Sequence, residues 1–336
     1  MAILRSLARA WPALAIALVA IVTTPHAPWR ILGPLTTALL LGLAVRAVVD
    51  RAGASPARGE GLRILATEVL RFGVVVSALR LDWSAIAEAG PRPWIVALVA
   101  VVGGLIAFTA LSRALGVRGS LAALVAIGTS VCGAAAIAAA APRLGSRDEH
   151  VTLGVAVISV VGAALSVVLV LVHASTGLAG DAYALLAGGA LHEVAHVVAA
   201  GSAAPESSDL ALLTKLARVA MLPIALAMVG LVAALPRGPS ASRARVPGLA
   251  IAFFAVSLVG SVLGSLLPDA ALQSWLALRG LLLDGANVAL ASSMAAIGLR
   301  LAPRELLRTD RRTLALALLG AAAVLALVTS AILLTS

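Results

Sequence analysis

The sequence has 336 residues, of which 61% are hydrophobic and only 12% are charged. Soluble domains average about 45–50% apolar and about 25% charged residues, so these values exclude a compact soluble monomer. The formal net charge of +10 does not indicate a nucleic-acid partner, because the cations lie in short loops between apolar runs, where they set the orientation of a membrane protein.

Eleven apolar segments follow one another along the chain, and most approach the roughly 20 residues that a helix needs to cross the hydrocarbon core. Backbone polar groups in lipid must be hydrogen-bonded internally, and the segments lack the alternation of β-barrel strands. We therefore predict an all-α polytopic membrane protein with ten or eleven transmembrane helices. The predicted segments are residues 12–24, 31–49, 62–81, 94–112, 120–141, 151–173, 183–200, 210–235, 248–266, 275–299 and 312–335.

The first segment is short and follows Arg5 and Arg9. It fits either a signal peptide cleaved near Ala27 or a retained first helix. We favour the retained helix, because no clean small-x-small cleavage site precedes the next segment.

Most arginines fall into alternate loops, an asymmetry that favours a cytoplasmic N-terminus. The loop 143–150 is the misfit, since eleven full crossings place its two arginines outside. Re-entry of both segment 120–141 and segment 183–200 would repair this misfit, and the sequence leaves that alternative open.

The ten segments after residues 1–29 divide into two halves, 30–175 and 180–336, within one transmembrane domain. Corresponding segments of the halves begin about 150 residues apart, and an odd number of helices per half gives the halves opposite orientations. This arrangement predicts an inverted five-helix repeat, as in many secondary transporters.

Segment 120–141 carries Thr129, Ser130 and Cys132 between Gly128 and Gly133. Glycine weakens a helix, and a break would expose backbone N–H groups that attract an anion near the middle of the membrane. The alternative is that these small residues only allow close helix packing. Cys132 is the sole cysteine, so the sequence excludes an intrachain disulfide.

Segment 275–299 is the predicted positional partner and contains Asp284, Asn287, Ser292 and Ser293. An acid within an apolar run is costly, which makes Asp284 a candidate for ion coupling. The alternative is that Asp284 lies near the membrane surface and pairs with Arg279.

Segment 183–200 contains His192, Glu193 and His196, which match the zinc-protease pattern His-Glu-x-x-His. With Leu283-Asp284-Gly285 as a third ligand element, the residues resemble a site-2-type intramembrane metalloprotease. The residues before Leu283 lack the expected proline and asparagine. We therefore favour ionisable groups that line a polar cavity, where they bind substrate or carry protons, over an internal hydrogen-bonding network.

Lys215 and Arg218 lie three residues apart on the next helix and offer positive charge to an anion, or else snorkel to the interface. Glu68 and Arg71, also three apart, predict an ion pair within their helix.

Several of these runs together resemble one family. Gly128-Thr129-Ser130-Val131-Cys132-Gly133, Leu191-His192-Glu193, Lys215-x-x-Arg218-Val219 and Met294-Ala295-Ala296-Ile297-Gly298-Leu299 are similar, in this order, to blocks of the YeiH-like family (UPF0324), to which sulfate export is ascribed. The resemblance extends over about residues 30–335. The chain departs from the family pattern at His196, where Gln is common, and at Ala135, where Ser is common.

The resemblance implies a plasma-membrane transporter with a fold similar to those of sodium/bile-acid symporters and sodium/proton antiporters. In that fold two discontinuous helices cross near the midplane, which we assign to segments 120–141 and 275–299. The substrate site that we assign on this basis combines residues of segments 120–141, 183–200 and 275–299 with two residues of segment 210–235. It needs no metal. Its residues are Thr129, Ser130, Cys132, Gly133, His192, Glu193, His196, Lys215, Arg218, Asn287, Ser292 and Ser293.

The sequence thus predicts a secondary transporter, not an enzyme, that moves a small anion such as sulfate, sulfite or a sulfonate. Glu193 and Asp284 are the ion-coupling candidates, with protons or sodium as the coupling ion. No cofactor is expected. The expected partners are the anionic solute and membrane lipid, with a homodimer as an option. A channel and a purely structural membrane protein are further alternatives.

Overall fold

The computed structural model describes residues 10–26, 32–51, 60–178, 180–201, 203–233, 248–301 and 310–335. Every regular element within these ranges is a helix, and several helices are long and apolar enough to cross a membrane, so the all-α polytopic prediction is confirmed. Arg5, Arg9, Ala27 and the arginine-bearing stretches 234–247 and 302–309 lie outside the described residues. The predicted orientation of the N-terminus therefore stays a prediction.

The chain forms two compact units, each built from two separate stretches of sequence. Unit 1 comprises Met1–Ala85 and Gly248–Leu307, and unit 2 comprises Ile86–Pro247 and Arg308–Ser336. Neither unit coincides with a predicted half of the chain, and the inverted repeat stays a prediction.

Unit 1 is organised around the contact between its longest helix, α16, and helix α2. Positions 42 and 298 bring the two backbones together, since a Cβ on Gly42 would lie 2.5 Å from the Ala295 carbonyl oxygen. Arg46 adds a hydrogen bond from Nη1 to the Leu299 carbonyl. The helices of unit 1 are α1 Trp11–Thr23, α2 Gly33–Arg51, α3 Glu60–Ile64, α4 Leu70–Ser77, α15 Gly248–Leu266 and α16 Asp269–Arg300.

The first predicted helix and the predicted ion pair both appear in unit 1. Helix α1 packs against α2 and α16. Arg71 Nη1 lies 2.9 Å from Glu68 Oε1, which confirms that pair. A π-helical turn, Leu65–Val69, interrupts the segment that carries it. Helix α5, Trp83–Glu88, begins in unit 1 and ends in unit 2.

Unit 2 contains the remaining helices and most of the residues predicted to act. A π-helical turn, Val99–Gly103, joins its first two helices. Its helices are α6 Pro91–Leu98, α7 Gly104–Ala114, α8 Ser120–Ser130, α9 Ala134–Ala140, α10 Asp148–Thr176, α11 Gly180–Ala190, α12 Val194–Gly201, α13 Ser208–Ala220, α14 Leu222–Ala233 and α17 Arg311–Leu334.

Five helices among the described residues have the length and composition of a membrane span, and a sixth arises if α13 and α14, bent by 45°, count as one. The other apolar segments are helical too, but they are short or interrupted. The five spans are Gly33–Arg51, Pro91–Ala114, Asp148–Thr176, Ala271–Arg300 and Arg311–Leu334.

The predicted break in segment 275–299 is wrong. Helix α16 continues without interruption from Asp269 to Arg300, through Gly280 and Gly285. A Cβ on either glycine would meet nothing within 4 Å. A single glycine costs a helix only about 1 kcal/mol, which a helix of this length tolerates.

Candidate functional site

Segment 120–141 folds back on itself as a re-entrant hairpin, here called the first hairpin (α8 and α9). Its two ends lie together, because Ser120 Oγ at the start of α8 is 2.8 Å from Nδ1 of His150, at the start of the following helix. A Cβ on Gly128 would also lie 3.0 Å from Cδ1 of Ile137, nine positions on, which a straight helix does not allow. The break predicted between Gly128 and Gly133 is therefore confirmed.

Segment 180–201 forms a second hairpin from α11 and α12. Ser207 Oγ donates to Asp181 Oδ1 at 3.1 Å, and the Tyr183 hydroxyl donates to the Ala200 carbonyl at 3.0 Å, so both ends of this hairpin also lie together. Both segments fold back on themselves, as the alternative with two re-entrant segments predicts. Segment 180–201 is thus a second hairpin within the same unit as the first.

The two hairpins enter from opposite ends of α10 and meet near its middle. Helix α10 runs from the base of the first hairpin, at Asp148, to the base of the second, at Thr176. Ser159, close to the midpoint of α10, donates a hydrogen bond of 2.7 Å to Oε1 of Glu193, at the tip of the second hairpin. Helix α10 is long and apolar enough to cross a bilayer, and the hairpin tips, residues 129–133 and 191–193, meet near the middle of its length.

Lys215 binds both tips at once. Its Nζ donates to the carbonyl oxygens of Val131, Leu191 and His192, each at 2.7 Å, and the side chain is fully buried. These carbonyls lie at the breaks, where the helices leave acceptors without an intrahelical partner.

Arg218, one turn further along α13, completes the same arrangement. Its guanidinium donates to the carbonyls of Thr129 and Ser130 on the first hairpin, at 2.8 and 3.3 Å. It also donates to those of Gly188 and Leu191 on the second hairpin, at 3.3 and 2.9 Å. Both cations are fully buried, so the snorkelling alternative is wrong.

Other polar atoms at the tips have no hydrogen-bond partner among the described residues. Buried polar groups are normally paired, so such a concentration points to a binding function. These atoms are Thr129 Oγ1, Ser130 Oγ, both ring nitrogens of His192, and Glu193 Oε2. The residues that carry them are at most 3% exposed, and Cys132 is buried beside them.

Three glycines make room for these side chains. A Cβ on Gly104 of α7 would lie 2.8 Å from Ser130 Oγ, and one on Gly162 of α10 would lie 3.0 Å from both His192 and His196. A Cβ on Gly133, at the tip of the first hairpin, would lie 2.7 Å from Cγ of Glu193. Sequence reasoning missed Gly104, Gly162 and Ser159; their signal is a small or polar residue within an apolar run.

The predicted site residues of segment 275–299 that make hydrogen bonds have their partners within unit 1. They belong to unit 1, on the continuous helix α16. Ser292 and Ser293 donate to carbonyls of their own helix, and Asn287 Oδ1 accepts from Arg80. Arg279 Nε donates to the Leu79 carbonyl, while Asp284 is exposed. Helix α16 is continuous at these residues, so the predicted half-helix terminus is wrong, while their grouping with the hairpin tips stays a prediction.

The protease interpretation finds no support. His192 lies in the break before α12 begins at Val194, so His192 and His196 do not share a helix face as the motif requires. Asp284, the proposed third ligand, belongs to unit 1. No three His, Cys, Asp or Glu side chains of the described residues are grouped as metal ligands.

Comparison with known proteins agrees with the blocks seen in the sequence. The family model described as conserved hypothetical protein 698 matches residues 12–317. A UPF0324 membrane protein of Bacillus cereus is 31% identical over 80% of this chain and 77% of its own length. One of Lactobacillus johnsonii is 35% identical over 59% of each chain, and one of Bifidobacterium longum is 27% identical over 81% and 78%.

The chain belongs to the UPF0324 family of membrane proteins. The names of these UPF0324 relatives state the membrane location and no substrate. No solved structure matches the chain. The expected likeness to sodium/bile-acid and sodium/proton carriers therefore stays a prediction.

Proposed function

We propose that this UPF0324 protein is a secondary transporter that carries a small anion across the plasma membrane, with its N-terminus in the cytoplasm. The observation that carries the proposal is the meeting of two hairpins near the middle of α10, a helix long enough to cross a bilayer, with unpaired polar side chains at their tips. Irregular backbone within a membrane is tolerated where it is buried in protein or lines a solute path. Half-helices that end at the midplane are typical of substrate sites in secondary transporters.

The charges at the tips favour an anion. Lys215 and Arg218 contribute two positive charges and Glu193 one negative charge, so the side chains sum to one net positive charge when Glu193 is ionised. Each tip sets a helix C-terminus beside an N-terminus, so the helix dipoles offset one another. An uncompensated buried charge is costly, and a bound anion removes that cost.

Glu193 is the group that suits proton coupling. Protonation of its carboxyl raises the net charge of the tips to two, which a dianion such as sulfate balances. The titratable and charged side chains that interact with Glu193 are Cys132, His196 and Lys215. Arg218 interacts with Lys215. His192 adjoins it along the chain. A proton and a dianion would then travel together.

Counterflow of labelled sulfate and sulfite into proteoliposomes tests the proposal. We expect saturable exchange that is faster at pH 6 than at pH 8 for sulfate. Ser130→Ala should lower the rate about tenfold, as expected for the loss of one hydrogen bond to the solute. Ser112→Ala is the matched control, because that buried serine bonds within its own helix.

Glu193→Gln separates coupling from exchange. The amide cannot ionise, so exchange should persist while a pH gradient no longer drives sulfate accumulation. Glu149→Gln, at an exposed acid of the same unit, should leave both unchanged. Absence of saturable counterflow of either anion in correctly inserted wild-type protein would refute the transporter, and non-saturating flux would indicate a channel.

A further inference from the structure

The three carbonyl oxygens around Lys215 form a cage of the kind that binds a hard cation. All three lie 2.7 Å from Nζ, and all belong to residues at the hairpin tips, Val131, Leu191 and His192. A neutral amine has only two N–H groups, so three accepting carbonyls require the ammonium form. Carbonyl oxygens are also the groups that coordinate hard metal cations in proteins.

The three carbonyl oxygens need a positive charge beside them, whether a side chain or a free ion supplies it. These carbonyls lie at the C-terminal ends of α8 and α11, where the helix dipoles place partial negative charge. Without a cation the Val131 and His192 carbonyls would lose a buried cationic partner, and only the Leu191 carbonyl would keep one, Arg218.

We propose that the Lys215 ammonium is a tethered cation, occupying a cage that would otherwise take a free monovalent cation. Arg218 does not take its place, because the guanidinium is planar and donates to Thr129, Ser130, Gly188 and Leu191. One consequence, which rests on the proposed function, is that anion transport requires no sodium at the hairpin tips.

Removal of the side chain should create a binding site for a small cation. Lys215→Ala deletes the ammonium and leaves room beside the carbonyls, whereas Lys215→Met refills most of the space with an apolar chain. We would follow thermal unfolding of the purified full-length variants by the fluorescence of the five tryptophans. The salts would be sodium, ammonium, methylammonium and choline chloride at equal ionic strength.

We expect Lys215→Ala in choline to unfold roughly 5–10 °C below wild type, since the carbonyls lose a buried cationic partner. Ammonium and methylammonium should restore a large part of this loss in a saturable manner. Wild type and Lys215→Met should not respond. Equal midpoints of Lys215→Ala in all four salts, or an equal rise in Lys215→Met, would overturn the cage.

A second measurement requires no substituted protein. The unfolding midpoint and the sulfate counterflow of wild type should be the same in sodium as in choline. A saturable rise of either with sodium would overturn the tethered cation. Absence of counterflow in every salt would contradict the proposed function alone, because the unfolding midpoints still decide whether the cage exists.

Discussion

Gly133 is the residue at which the first hairpin reverses. Its φ is +72°, and a Cβ there would lie 2.7 Å from Cγ of Glu193. Gly90 has a similar backbone, with φ +77°, but open space around it. A side chain at either position would adopt a backbone conformation that only glycine adopts readily. Only at position 133 would it also clash with a neighbouring side chain, that of Glu193.

We expect Gly133→Ala to lower the free energy of unfolding by about 1–3 kcal/mol more than Gly90→Ala does, because only the first displaces a packed side chain. Sulfate counterflow should fall in Gly133→Ala and persist in Gly90→Ala. Chemical denaturation and counterflow measure the two effects. Equal losses in both variants would mean that backbone strain, and not contact with Glu193, sets the requirement for glycine.

Individual residues of the first tip were predictable, whereas their partners were not. Glycines on either side of Thr129, Ser130 and Cys132 are a local signal of a break. The second tip, at 191–193, contains no glycine or proline. Its carbonyls at Leu191 and His192 accept hydrogen bonds from Lys215, which is 24 and 23 residues away. A local sequence pattern does not predict such a distant donor.

At the scale of elements, two glycines of α16 differ in their surroundings, one packed against a neighbouring helix and the other in open space. A Cβ on Gly298 would lie 2.3 Å from the Leu39 carbonyl oxygen and 2.8 Å from the Leu43 amide nitrogen, so this glycine allows α2 to approach. Gly280 on the same helix has open space. Sequence alone cannot separate a glycine that permits packing from one that ends a helix, which is why the predicted break in α16 was wrong.

We expect Gly298→Ala to destabilise the protein by about 1–3 kcal/mol, because backbone atoms of α2 cannot rotate away from the added methyl group. Gly280→Ala should be neutral or stabilise by up to about 1 kcal/mol, since alanine favours the helix. Thermal unfolding in detergent compares them. A destabilisation by Gly280→Ala that matches Gly298→Ala would contradict the close contact of α2 and α16.

For the whole molecule, the two hairpins change the predicted topology. Re-entry of two of the eleven predicted segments lowers the predicted number of crossings from eleven to nine, so the termini are still predicted to lie on opposite sides. The loop with Arg143 now lies on the same side as Arg118, which removes the misfit with the charge rule. The base of the second hairpin, near Glu206, lies at the other end of α10.

Single cysteines introduced into a Cys132→Ser background test this arrangement. In intact cells, an impermeant maleimide should label Glu206→Cys but neither Arg118→Cys nor Arg143→Cys, while lysed cells label all three. All three side chains are exposed. Labelling of Arg143→Cys but not of Arg118→Cys in intact cells would mean that segment 120–141 crosses the membrane fully.

Lys215 and Arg218 occupy neighbouring turns of one helix, and each holds both hairpins. A hairpin that swung outward alone would break at least three buried hydrogen bonds to charged donors, at about 1.5–3 kcal/mol each. If the proposed transport function holds, neither hairpin is therefore suited to open alone and release the solute. These bonds tie the tips and α13 together, so we expect the proposed transport cycle to move them as one rigid body.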